Sequence, residues 1–116
     1  MGTILAWGDD LAGGTAAEDA ELREALANPD PFVRARALGG SDAEEGAVRA
    51  IAFALGDDYP MVRREAVRAL SRAGGSMAAA RALLHAAAHD PSAEVREEAV
   101  AALAGILRAQ DAGAGS

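Results

Sequence analysis

Apolar residues return at helical spacing along most of the chain. In residues 60–72, Val62, Ala66, Val67 and Leu70 fall at i, i+4, i+5 and i+8, one face of an amphipathic helix, while Arg64, Arg68 and Arg72 recur every four residues on another. The same pattern occurs once before and once after. Aligned on Val33-Arg34, Val62-Arg63 and Val95-Arg96, the copies carry Asn28, Asp57 and Asp90 five residues before the valine. Ala37, Ala66 and Ala99 stand four residues after it, followed by Leu38, Val67 and Val100. The valines are 29 and then 33 residues apart, a period that signals a stacked array of repeats.

Each of these helices has a partner upstream. The spacing predicts partner helices over 16–27, 43–55 and 77–89. Their inward faces are Leu22, Ala25 and Leu26 in the first, Val48, Ile51, Ala52 and Leu55 in the second, and Met77, Ala80, Leu83, Leu84 and Ala87 in the third. Thr15 with Glu18, and Ser41 with Glu44, have the spacing of capping boxes. Pro31 and Pro60 suit the first turn of the second helices, with Asp30 as an N-cap in the first copy and Ser92 in the third. Gly13-Gly14, Gly39-Gly40 and Gly74-Gly75 close the units, as glycine does where a helix ends in a left-handed residue.

An acid or amide, a proline-marked turn, Val-Arg, then alanine and aliphatics on a second helix: this motif resembles the HEAT-repeat family, in particular the short repeats of bacterial HEAT-like proteins also found in phycobilin lyases. The resemblance covers residues 16 to 109. It implies an all-α, right-handed α-solenoid of three antiparallel helix pairs, about 15–40, 41–74 and 76–109. It also implies that Arg34, Arg63 and Arg96 form a structural ladder with the turn residues Asn28, Asp57 and Asp90 of neighbouring repeats. The first copy departs from the pattern, because Gly39-Gly40 cuts its second helix short and Asn28 replaces the acid. Its arginine is therefore expected to be the less well paired.

Composition narrows the reading further. Aromatic residues are 3% of the chain and alanine dominates, so the core comes from close helix approach. With no cysteine, disulfides, thiolate metal sites and cysteine nucleophiles are excluded. No apolar run reaches the roughly 18 residues that span a bilayer. Met1 to Asp10 lacks the basic start of a secretory signal, and Ala6 stands where an acylation site after Gly2 needs Ser or Thr, so a cytoplasmic protein is expected. The net charge of −7 disfavours sequence-independent binding to nucleic acid. Residues 1–14 lie outside the repeats and carry Ile4, Leu5, Trp7 and Leu11. They either cap the first helix pair, whose outer face has no neighbour, or anchor another protein through Trp7. Residues 110–116 are small and glycine-rich and read as a disordered tail.

Candidate chemistry is sparse. His85 and His89 stand at i, i+4, but Arg81 shares their face and no third ligand is evident beyond Asp90, so neither a metal nor a cofactor is expected. The acid pairs sit mostly at helix starts, where they favour the dipole. What remains is recognition. The resemblance places the second helices on a concave surface, bringing Arg36, Arg64, Arg68 and Arg72 towards Glu97 and Glu98, with Trp7 and Tyr59 as aromatic anchors and Phe53 packed between helices. A scaffold or adaptor binding a protein or peptide is the expected function, without catalysis of its own. An enzyme subunit holding a small molecule in the groove, and a self-assembling structural subunit, are the alternatives.

Overall fold

The computed structural model describes residues 16–41, 45–73 and 76–114. Among the described residues six α-helices follow one another: α1 (Ala16–Leu26), α2 (Pro31–Gly39), α3 (Glu45–Phe53), α4 (Pro60–Arg72), α5 (Met77–His89) and α6 (Ala93–Ala114), with a 3-10 turn at Ala54–Gly56 prolonging α3. They form three pairs, α1–α2, α3–α4 and α5–α6. Within the first layer α3 packs on α1 and α5; within the second, α4 packs on α2 and α6. The architecture is thus a two-layer, all-α repeat array.

Local chemistry sets the element boundaries. Pro29 follows α1 and biases Asn28 out of the helical region, ending that helix. Asp30 then caps α2, its Oδ1 accepting the Phe32 N–H at 2.9 Å, with Pro31 at the first helical position. Pro60 does the same for α4. Ser76 caps α5 by accepting the Ala79 N–H at 3.2 Å. Ser92 stands before α6 and accepts the Val95 N–H at 3.5 Å.

The core runs between the layers. Leu38, Val48, Ile51, Val62, Val67, Leu70, Leu83 and Val95 are its largest fully buried side chains. Ala66, Ala69, Ala79 and Ala99, all at 0% exposure, stand between them and let the helix axes approach closely.

Several expectations change. In α5 the buried face is Ala79, Leu83 and Ala86, whereas Met77 and Leu84 are exposed. That helix is apolar nearly all round, so its period alone leaves the inward face undetermined. Phe53 does not pack between helices but is 86% exposed. Val100 also lies outside the core, at 55% exposure, since none of the described helices packs over it as α6 packs on α4, which carries the equivalent Val67. The backbone of α6 continues to Ala114 through residues whose composition predicts a disordered tail; alanines at 109, 112 and 114 favour the helix. Gly40 closes α2 in the right-handed region, with φ −94 and ψ −2, and its N–H donates to Arg36 O. A left-handed residue is not needed there. Ser41 serves the end of α2, its hydroxyl donating to Leu38 O at 2.9 Å. Residues 1–14, Thr15, Glu44 and Gly74-Gly75 lie outside the described residues.

Candidate interaction site: two rows of arginine

Two rows of arginine meet on α4, one residue apart in sequence at Arg63 and Arg64. The first row lies at the inter-repeat turns. In every copy the turn residue bends the chain with its own side chain: Asn28, Asp57 and Asp90 Oδ1 accept the N–H of Asp30, Tyr59 and Ser92 at 2.9, 3.0 and 2.8 Å. The arginine six residues on returns to the same turn. Arg34, Arg63 and Arg96 each donate from Nη1 to the backbone carbonyl of Asn28, Asp57 and Asp90, at 2.6, 2.8 and 2.7 Å. The rest of the guanidinium points forward. Arg34 donates from Nε and Nη2 to Asp57 at 2.7 and 3.1 Å, and Arg63 likewise to Asp90 at 2.9 and 3.3 Å. These are bidentate, charge-assisted pairs.

Each rung therefore runs from one repeat to the turn acid of the next. That direction corrects the expectation for the first copy. Arg34 is fully engaged, and its guanidinium also stands over the Tyr59 ring at 5.7 Å. Among the described residues the arginine without a forward acid is Arg96, in the third copy. Asn28 loses nothing as an amide, since no described rung arrives at it.

The rungs are partly or fully buried. The Arg63 and Asp90 side chains are 9% and 3% exposed. At Asp57, burial pushes the carboxyl up, but hydrogen bonds from Arg34 and the Tyr59 N–H, with the charges of Arg34 and Arg63, outweigh it and leave the group below its ordinary range. The Asp57 hydrogen bond raises Arg34 in turn.

The second row lies on the outer face of α4. Arg64 and Arg68 both reach across to α6 and share Glu98 Oε1, at 3.1 and 2.9 Å. Arg68 also binds Glu65 at 2.9 Å, and Arg64 makes a longer contact to Glu94 at 3.5 Å. The two arginines are 37% and 48% exposed. Burial pushes Glu98 up, yet the hydrogen bonds and charges of Arg68 and Arg64 hold it below its ordinary range; Glu98 in turn raises Arg68. Beside this cluster lies a groove of about 370 Å³ between α4 and α6, lined by Val67, Arg68, Ser71, Glu98, Ala101 and Ala102. Two polar atoms of the cluster, Arg64 Nε and Glu98 Oε2, are buried without a hydrogen-bond partner.

The remaining candidates are dispersed. Arg72 is turned to the first repeat, its Nη2 donating to Leu38 O at 2.8 Å and Ser41 O at 3.3 Å, so it ties off the C-terminus of α2. Arg36 and Glu97 are exposed and stand outside the cluster, and Tyr59 is half-exposed at the ladder turn. Trp7 lies outside the described residues. The charges do not form separate basic and acidic poles, because Glu98 sits between Arg64 and Arg68 on the adjoining helix. The His85 and His89 rings are 4.8 Å apart and exposed, and no group of three or more metal-ligating side chains occurs among the described residues.

A second groove escapes a reading of the second helices. Arg23, Leu26 and Ala27 at the end of α1, with Arg49, Ala50 and Phe53 of α3, line a space of about 380 Å³ in the first layer. Its sequence signal is a phenylalanine two residues past Ile51, off the Val48–Ile51 face, with Arg49 one turn before it.

No curated protein matches the chain. The profile of the family described as HEAT repeats matches residues 20–104, from within α1 to within α6. The ladder and the paired layers are what that match spans, and the chain belongs to the HEAT-repeat family.

Proposed function

We propose that the chain is a small scaffold or adaptor whose docking surface is the α4–α6 groove. HEAT repeats generally serve as protein-interaction scaffolds. The occupant is a protein or peptide segment that presents a carboxylate to Arg64 and Arg68 and small apolar side chains to Val67, Ala101 and Ala102. The observation that carries this is the shared carboxylate: one Glu98 oxygen serves two half-exposed arginines while Arg64 Nε and Glu98 Oε2 go unused. Exposed ion pairs net less than about 1 kcal/mol, so an incoming carboxylate can replace Glu98 at little cost. Arg36, Glu97 and Tyr59 are exposed for a partner that extends beyond the groove.

A photo-crosslinking residue at Ala101, on the groove rim, is expected to trap the partner, whereas one at Ala88, on the first layer, is not. The R64E/R68E pair is expected to abolish the adduct while helicity is retained. An adduct that survives that change would rule out the site.

A second reading rests on the far face of α6. Val100 is 55% exposed where its equivalents Leu38 and Val67 are buried, and Arg96 meets no forward acid among the described residues. A helix pair from another protein, carrying an aspartate at its turn, would complete that rung. Stacking of one copy head to tail on another is disfavoured, because Asn28 would meet Arg96 with an uncharged amide that has one acceptor oxygen, where Asp57 and Asp90 present a charged pair of oxygens. Sedimentation of the natural chain against R96E tests this reading, which fails if R96E leaves assembly with the partner unchanged.

A further inference from the structure

The α1–α3 groove lies in the first layer, apart from the ion cluster of α4 and α6. Its floor is apolar, with Leu26, Ala27, Ala50 and Phe53, and the Phe53 ring is 86% exposed. Arg23 and Arg49 are both exposed on its rim. An exposed aromatic flanked by two such cations suits an occupant that is apolar and acidic.

We propose that the occupant is the chain's own N-terminal segment, residues 4–11. Ile4, Leu5, Trp7 and Leu11 supply apolar side chains, and Asp9 and Asp10 supply two carboxylates in a stretch that holds no basic side chain. The indole of Trp7 covers Phe53 and Leu26 while the aspartates meet Arg23 and Arg49.

The length of chain permits this. From Ala16, the start of α1, to Arg23 is about 10 Å at ~1.5 Å per residue, and to Leu26 about 15 Å. Twelve residues from Ile4 to Thr15 extend to roughly 40 Å, so a reversal at Gly13-Gly14 returns the segment along α1 with length to spare. Tethering also decides between occupants. A covalently linked segment faces the groove at an effective concentration on the order of millimolar, so a weak contact that would fail between separate molecules suffices within one chain. Such a fold-back covers the first layer beside α1.

Trp7 is the single tryptophan, so its fluorescence in the full chain reports the contact directly. The natural chain is expected to show blue-shifted emission and low acrylamide quenching, both independent of protein concentration. R23E/R49E and, separately, F53S are expected to shift the emission towards that of free tryptophan and raise quenching several-fold. Combining R23E/R49E with D9R/D10R is expected to restore the blue shift. Circular dichroism checks that each variant stays helical; a variant that loses helicity is replaced by the milder R23Q/R49Q. Red emission with full quenching in the natural chain would overturn the proposal. So would a blue shift unaffected by both the arginine and the Phe53 changes, which places Trp7 elsewhere. A blue shift that disappears on dilution would also overturn it, since the groove is then filled by a second copy.

Discussion

Arg63 and Arg64 are neighbours in sequence and have opposite fates. One turn of helix has 3.6 residues, so a step of one residue swings the side chain by about 100°. That step carries Arg63 into the seam between repeats, where Asp90 and two backbone carbonyls fill its donors, and leaves Arg64 on the outer face, where it shares one Glu98 oxygen with Arg68. Same residue type, same helix, same nominal ion pairing: what separates them is water. A buried bidentate pair fixes geometry and cannot lose one member cheaply, whereas a half-exposed pair is replaceable. Ladder and groove are therefore structural and exchangeable versions of one chemistry.

The contrast is sharpest at Arg63. R63A leaves Asp90 buried without its cation, and chemical denaturation is expected to show a loss of about 3–5 kcal/mol. If R63A costs no more than R64A, burial is not what distinguishes the rows. Acid should act on both rows in the same direction. Asp57 and Glu98 sit below their ordinary range when folded, so their stabilisation is fully present above the unfolded carboxylate value of about 4 and is lost as pH falls through the folded value. Stability measured downward from about pH 6 should fall in that acidic range. D57N should flatten the fall more than E98Q, and salt near 1 M should weaken only the Glu98 part. A smaller effect is expected at the open rung: R96A removes one bond to the Asp90 carbonyl and should cost about 1 kcal/mol, well short of R63A. R64A should cost less than about 1 kcal/mol while weakening partner capture. At the bottom of the scale is G40A, whose added methyl would meet Arg36 O at an ordinary 3.7 Å. It should leave Arg72 bound to the α2 carbonyls and raise stability by about half a kcal/mol through the unfolded chain.

The sequence made the repeats legible because each copy repeats both its punctuation and its inward face. Asp30, Pro31, Pro60 and Ser92 stand where the second helices begin, and Val62, Ala66, Val67 and Leu70 are all buried. The ladder arginines were visible too. The direction of their rungs was not, since a sequence alignment puts Arg34 and Asn28 in one unit without saying which neighbour the guanidinium faces. Periodicity also fails where a helix is apolar on several sides, hence the misplaced inward face of α5. Val100 fails for a different reason: its exposure depends on which helices adjoin it, and no property of its own helix reports that, whereas the place of Phe53 off the Val48–Ile51 face was there to be read. Arg72 looked like a third member of the outer row, yet a long side chain near a helix end can reach carbonyls of another repeat.

The one-way rungs also give the chain a polarity, as in a polymer with unlike ends. Every complete unit carries an acceptor behind and a donor ahead, so a duplicated unit is compatible with its parent from the moment it arises. Lengthening by whole repeats preserves every pairing, whereas a shift of a few residues mismatches all those downstream. Asn28 and Arg96 then differ in kind: a neutral amide at which no described rung arrives, and a charged donor with no forward acid among the described residues.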